Sequence, residues 1–382
     1  MDLTLSEEQR AIREMAAAFA ADRMAPFAAG WDRDRTFPVE TLREAAALGL
    51  AAILVDPEHG GAGFGRLEAT IVFEELSRAC PSTAAYLSIH NMVASLVDRF
   101  GSDAQRAEHL PPLASMEHFA SYCLTEPGAG SDAARLSTRA RRDGGDYVLD
   151  GAKAFISGGG AADLYLVMAR TGGEGARGIS AILVPKDARG LSFGAQEEKL
   201  GWHSQPTAAV LLDGCRVPAR NLLGAEGEGF RIAMTGLDGG RLSIGACSLG
   251  AGAEALALAT THARERHQFG APIAAFQAIQ FKLADAATAL EAARLLLHKA
   301  ALAVDAGAPD ATALAAMAKR LATDAGFEAV NDALQIHGGY GYLRDHPFER
   351  YLRDLRVHQI LEGTNEIMRV IIARHLLGSG RQ

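Results

Sequence analysis

Near the C-terminal end, "HQILEGTNEIMR" (358–369) sets two carboxylates four positions apart, Glu362 and Glu366, around Gly363, Thr364 and Asn365. With Ile360 and Leu361 just before it, Glu362 is oddly placed for a solvent-facing charge. An apolar pocket would disfavour its anion, whereas the N-terminus of a helix beginning just beyond it would favour the anion. A carboxylate held between those pressures asks for an explanation beyond a surface charge.

Other segments offer donors and flat surfaces. "YCLTEPGAGSD" (122–132) leaves a strand, breaks at Pro127 and presents Gly128, Gly130 and the hydroxyls of Thr125 and Ser131. Such glycines let successive backbone N–H groups approach a planar or anionic ligand. A tight inter-domain turn has the same composition. "KAFISGGG" (153–160) places an aromatic, an aliphatic and a hydroxyl before three glycines, which suits one edge of a heterocycle. In "RHQFGAP" (266–272) and "LQIHGGYGY" (334–342), Arg266, Gln268, Gln335 and the Gly338–Gly339 backbone supply donors for phosphate or amide groups. Glycine caps and interhelical turns look alike here too. His203, His337 and His358 show no paired ligand spacing and read as structural or cofactor-edge residues. "GEGARG" (173–178) matches G-x-G-x-x-G but joins two strands, so it reads as a hairpin turn and not a dinucleotide loop.

The elements that must position these residues fall into three parts. Up to about 115 the period is helical: a capping box at Ser6 and Gln9, then Ile12, Met15 and Phe19, then a helix from Pro38 to Gly49. Further helices are expected over 66–79 and 83–100, with a short one leading to Pro111-Pro112. From 120 to 217, short apolar runs separated by glycine turns predict strands, with no segment long enough for a helical crossover; an antiparallel sheet or small barrel follows. Beyond 226, Ala/Leu-rich blocks at 227–264, 274–305, 310–337 and 365–377 predict an up-and-down four-helix bundle. The expected domains are therefore an α-helical one over 1–118, a β domain over 119–225 and a helical bundle over 226–382.

A formal charge of −8 gives no basic field for nucleic acid, and the arginines of 139–142 read as solvated strand ends. The four cysteines are scattered without a C-x-x-C pair, which argues against a disulfide framework or a cysteine zinc site. Residues 79–97 lack Asp, Glu, Lys and Arg, but their Ser, Thr, His and Asn content predicts a buried helix and no membrane span. No apolar core follows a basic leader at the start, so a bacterial cytoplasmic location is expected.

In order and spacing, the five glycine-rich and acidic segments resemble the acyl-CoA dehydrogenase family of flavoproteins over essentially the whole chain. "SIHNM", "RTGG", "GWHSQPT", "LDGGR" and "ACSLGA" bring the likeness nearest to its isobutyryl-CoA branch. The resemblance implies that a carboxylate removes the α-proton of an acyl-CoA thioester while the β-hydride passes to non-covalent FAD. Electrons then go to electron-transfer flavoprotein. Glu362 matches the base; Gly240, where isovaleryl-type relatives place theirs, cannot take a proton. Cofactor positions implied by the likeness are Tyr122, Leu124, Thr125, Gly130, Ser131, Phe155, Ile156 and Ser157 at the flavin. Arg266, Gln268, Phe269, Gln335, Gly338 and Gly339 match contacts made from a neighbouring subunit, and Thr364 and Glu366 lie beside the nucleotide. For Glu366, a solvent-exposed place at the helix start is as good a reading. Substrate positions implied are Ser131, Leu361, Gly363, and Asp238 with Arg241 at the CoA adenine end. A homotetramer, a dimer of dimers, goes with the likeness. Phe155, Ser157 and Leu361 depart from the medium-chain pattern of Trp, Thr and Tyr, which bears on acyl length and not on the reaction. Butyryl-CoA and 2-methylbutyryl-CoA remain alternative substrates; an acyl-CoA oxidase or a non-catalytic flavin- or CoA-binding scaffold are the other readings.

Overall fold

The computed structural model describes residues 4–378; residues 1–3, part of the start read above for a leader, lie outside them. Six helices come first: α1 Glu7–Phe19, α2 Ala25–Asp34, α3 Val39–Ala47, α4 Arg66–Ala79, α5 Pro81–Phe100 and α6 Asp103–Ala114. The Ser6 hydroxyl accepts from the Gln9 N–H and the Gln9 side chain accepts from the Ser6 N–H, closing the expected capping box. The sequence reading left out α2. It continues α1 through one π turn at Ala20–Met24, because Pro26 has no N–H to offer and the ladder widens just before it. Helix α6 also runs two residues past its expected stop, since prolines in a last turn deprive only two carbonyls of donors.

Helix α5 shows how an uncharged polar helix is buried. Every residue from Pro81 to Val97 except Ile89 is buried. His90 Nδ1 accepts from the Ala120 N–H, so Nε2 carries the proton and donates to the Leu113 carbonyl at 2.9 Å. Asn91 donates to the Leu50 and Leu87 carbonyls and accepts from the Ile53 N–H. Those bonds need protein partners, not lipid.

The strands are β1 Ala120–Cys123, β2 Arg139–Asp143, β3 Asp146–Ser157, β4 Leu164–Arg170, β5 Ile179–Pro185, β6 Leu191–Gln196, β7 Thr207–Pro218 and β8 Leu222–Leu223. They form one sheet in the order β6-β7-β3-β2-β4-β5-β8, with β1 beside β4. Most pairs are antiparallel, as expected, but β1 and β4 run parallel, and β2 touches β4 in parallel at one point. The crossover that a parallel pair requires is made here by β2 and β3 themselves, so the lack of a helix did not exclude it. The run "GEGARG" is indeed the turn between β4 and β5.

The remaining elements are α7 Gly229–Glu265, a small hairpin β9 His267–Gln268 with β10 Ala271–Pro272, α8 Gln277–Asp305, α9 Ala311–His337, α10 Phe348–Arg356 and α11 Asn365–Leu376. Nine-residue α10 escaped the sequence reading because its charges hide a buried face of Phe348, Tyr351 and Leu355. Helix α7 is long and apolar enough to cross a membrane, yet 72% of its apolar window is buried inside the fold. Its small residues admit close neighbours: a Cβ on Gly250 would lie 1.9 Å from the Glu74 carbonyl of α4. The helical core joins Leu67 and Ile71 of α4 to Leu242 and Leu249 of α7 and to Leu290, Leu297 and Leu314 of α8 and α9. The first and last thirds of the chain thus share a core, and the site lies along their seam.

Candidate active site

Between α10 and α11 the chain makes a 3₁₀ turn at Val357–Gln359, then two successive left-handed residues, Glu362 (φ 54°) and Gly363 (φ 90°). Glycine adopts that conformation freely; a glutamate does so only when its surroundings hold it there. The Glu362 carbonyl accepts from Arg241 Nε at 3.3 Å, and Thr364 caps α11 by accepting from the Ile367 N–H. The backbone N–H of Glu362 finds no acceptor among the described residues. Its side chain lies over α7 at Gly240, where a Cβ would come within 2.2 Å of Oε2. Glu362 as a residue keeps some surface, but Oε2 is sealed from solvent and has no hydrogen-bond partner.

Burial pushes the Glu362 carboxyl up to about 7, against the pull of Lys319, Arg241 and Arg66. The sequence reading gave the opposing role to a helix N-terminus. That helix, α11, does begin at Asn365, and the structure adds three cations, from α9, α7 and α4, which converge only in the fold. Arg241 is nearly fully buried and paired with Asp238 at 2.6 Å. The likeness put this pair at the adenine end of CoA; in the structure Arg241 touches the backbone of the base, and Asp238 also accepts from Thr312.

Near the Glu362 carboxyl stand Met92 from α5 and Tyr122 from β1, and its chain neighbours Leu361 and Val357 pack on a small apolar cluster of Ala85, Trp202 and Ile244. Trp202, itself left-handed at φ 58°, donates from Nε1 to His358 Nε2 at 3.2 Å. His358 therefore carries its proton on Nδ1 and donates to Ser248 Oγ at 2.8 Å. Burial, then the Lys319 charge, holds this imidazole down to about 3, so it is neutral and serves structure. His203 bonds the Lys199 carbonyl, and His337 bonds the Ala333 carbonyl and stacks on His262.

The loop after β1 is pinned from below. Lys153, fully buried, donates to Glu126 at 2.8 Å and to the Leu124 carbonyl, while Glu126 also accepts from Ser137 and Thr138. The Thr125 carbonyl takes the Ala154 N–H at 2.9 Å. Gly128 and Gly130 have open space where a Cβ would sit, and Ser131 is exposed. Next to them on β3, Phe155 is 68% exposed at φ 59°, turned outward at an irregularity in the β3–β7 register. Ile156 points the other way, into the core, which leaves only its backbone for a ligand. Ser157 is half-buried, and its carbonyl accepts from Ser121. Tyr122 donates to the Ala233 carbonyl, and Leu124 is buried.

A second feature is a cleft of about 440 Å³ lined by His262, Arg266, Gln268, His337, Gly338, Gly339 and Tyr340, among others. No carboxylate lines it, and Phe269 at its hairpin is 95% exposed. Gln335 is exposed and outside the lining, and Thr125, Ser131, Phe155 and Ser157 are outside it too. The cleft thus gathers Arg266, Gln268, Gly338 and Gly339 but leaves the residues of the β1 and β3 loops outside its lining. Glu366 is exposed on the first turn of α11, in loose contact with Arg369. The sequence reading missed Lys319, Arg66 and the Glu126–Lys153 pair. For Lys319 and Lys153 the signal was a charge inside an otherwise apolar helix or strand, which composition alone does not separate from a solvated face; Arg66 opens α4 and Glu126 sits in a loop, where a charge does not stand out.

A helical, β and helical chain with a sealed carboxyl, an outward aromatic and glycine-rich loops fits a flavin-linked dehydrogenase class. Family models for the N-terminal, middle and C-terminal domains of acyl-CoA dehydrogenase match residues 6–117, 121–215 and 227–377, and the chain belongs to that family. It is similar to the mitochondrial isobutyryl-CoA dehydrogenase of Dictyostelium discoideum, 54% identical over 97% of this chain and 90% of the relative. A solved chain from work on the electron transferring flavoprotein of Acidaminococcus fermentans superposes with TM-score 0.96 at 42% identity, covering 99% of this chain and 100% of its own. A structure of PigA with FAD and proline superposes with TM-score 0.96 at 30% identity, over the full length of both chains. The protein is an acyl-CoA dehydrogenase, an oxidoreductase.

Proposed function

We propose that this enzyme is an FAD-dependent dehydrogenase of short branched acyl-CoA thioesters, with isobutyryl-CoA as its leading substrate and electron-transfer flavoprotein as its acceptor. The single observation that bears most on the reaction is the orphaned, sealed Oε2 of Glu362 on a left-handed turn. In the proposed mechanism Glu362 takes the α-proton of the thioester. Its carboxyl, pushed up to about 7, holds a proton firmly enough to act near neutral pH. The unpaired Glu362 N–H is a donor for the thioester oxygen as that oxygen gains charge. Met92, which with the carboxyl crowds the Gly240 position, and Leu361, packed on Trp202 and Ile244 next to it in the chain, would exclude water from the base.

The residues present fit FAD. Phe155 offers an outward ring, Gly128 and Gly130 leave the backbone of their loop open, and Arg266, Gln268 and the Gly338–Gly339 backbone line an acid-free cleft. When bound, FAD supplies the acceptor for the hydride leaving the β-carbon. Thr125, Ser131 and Ser157 would hold the flavin and the Arg266 cleft the nucleotide of a cofactor shared with a neighbouring copy. That the cleft lining leaves out the residues of the β1 and β3 loops supports this reading, and with it a tetramer built of dimers. The choice of isobutyryl-CoA rests on the 54% identical relative and on Leu361, beside Glu362 and packed on Trp202, where a shorter or reshaped acyl pocket is expected.

The test is anaerobic addition of isobutyryl-CoA to the purified yellow protein. Flavin bleaching faster than with butyryl-CoA is expected. Equal or slower bleaching sinks the branched-chain assignment, and bleaching unimpaired in Glu362→Gln sinks the base.

A further inference from the structure

Lys319 of α9 is fully buried, and its Nζ donates to the Gly363 carbonyl and to Asn365 Oδ1, both at 2.9 Å. Asn365 in turn donates to Thr323 Oγ1 at 3.0 Å and to Asp324 Oδ1 at 2.8 Å. Asp324 Oδ1 also accepts from Gln359 at 2.9 Å. The stretch 319–324 thus grips the chain on both sides of Glu362, through Gln359 before it and Gly363 and Asn365 after it. The ammonium makes no direct ion pair among the described residues, and burying it that way opposes folding. A methionine would fill the same slot. What it could not supply is a donor to the peptide next to the base and a positive charge facing it.

We propose that Lys319 is a positioning residue for Glu362, holding the left-handed Glu362–Gly363 turn so that the carboxyl stays over Gly240 and remains ionisable. The proposal rests on the reading of Glu362 as base. The other groups facing that carboxyl are Arg241 and Cys247 of α7, Arg66 of α4 and Tyr122 of β1; those facing Lys319 are Arg241, Asp324, Glu366 and the neutral His358. Loss of the Lys319 charge leaves Arg241 and Arg66 alone to oppose burial, so the proton is held more tightly.

The test is the pH profile of kcat for the FAD-loaded Lys319→Met enzyme, beside wild type, with a short acyl-CoA and an artificial acceptor. The acidic limb is expected to move up by roughly one pH unit, and the alkaline plateau to fall at least about tenfold. An unmoved limb overturns the proposal. Wild-type turnover in the same assay keeps the base reading separate from that result. If Lys319→Met does not fold, Asn365→Ala removes one acceptor of the ammonium and keeps its charge. It must lower kcat with the limb unmoved; wild-type kcat, or a shifted limb, counts against the proposal.

Discussion

Two buried glutamates in this molecule have opposite fates. Glu126, beneath the glycine loop, accepts from Lys153, the Ser137 N–H and hydroxyl, and the Thr138 N–H. Burial works against its charge, but Lys153 and those donors prevail and hold it down to about 2. Glu362 has three cations facing it and no donor on Oε2, and burial prevails, to about 7. Burial alone therefore does not set a carboxyl's proton affinity; the affinity rises where the hydrogen bonds are withheld. The first glutamate is spent on structure, and in the function proposed above the second is kept free for a proton.

That contrast is open to test, beginning with the largest effect. Glu126→Gln strands the buried Lys153 ammonium and is expected to lose about 3–5 kcal/mol in urea unfolding, together with flavin retention. An unfolding midpoint equal to wild type would mean that the pair is not what pins the loop. Gly240→Ala puts a methyl 2.2 Å from Oε2, and displacement of the base on that scale lowers kcat by roughly 10²-fold. Since the added methyl removes no structural bond, its melting temperature should fall far less than that of Glu126→Gln.

The pH dependence of stability separates the two carboxyls by sign. Glu362 has a folded value raised above its unfolded one, so wild type loses stability as pH rises between about 4.5 and about 7. Glu362→Gln escapes this and gains on wild type across that window, by up to about 3 kcal/mol. Glu126 is depressed, so its contribution is present above about 4.5 and lost as pH falls towards about 2. Melting curves at pH 4, 6 and 8 decide it: a constant gap between Glu362→Gln and wild type contradicts the raised value. The smallest effect belongs to Glu366→Gln, which lies on an exposed first turn; kcat and KM should each change by no more than about twofold. A larger change in KM for FAD would restore Glu366 to the nucleotide site.

The helical and strand periods were legible because each repeats over many residues; α7, α8, α9 and α11 fall within a few positions of their expected limits. Short α10 was not, because nine charged-rich residues hold too few turns for a period to stand out. Glu362 was legible because a carboxylate beside glycine and aliphatics is anomalous in one dimension. Gly240 was read as unable to hold a base. The structure adds that its missing side chain is the space the Glu362 carboxyl occupies.

By itself, the order of residues determined which groups could do chemistry and which segments would be helix or strand, since both are local properties of side chain and backbone. It did not determine what surrounds them. Lys319, Arg241 and Arg66 come from three helices spread over more than 250 positions of chain, and their distances to Glu362 exist only after packing. A carboxyl's proton affinity depends on through-space charge and on withheld water, and no reading along the chain contains either quantity.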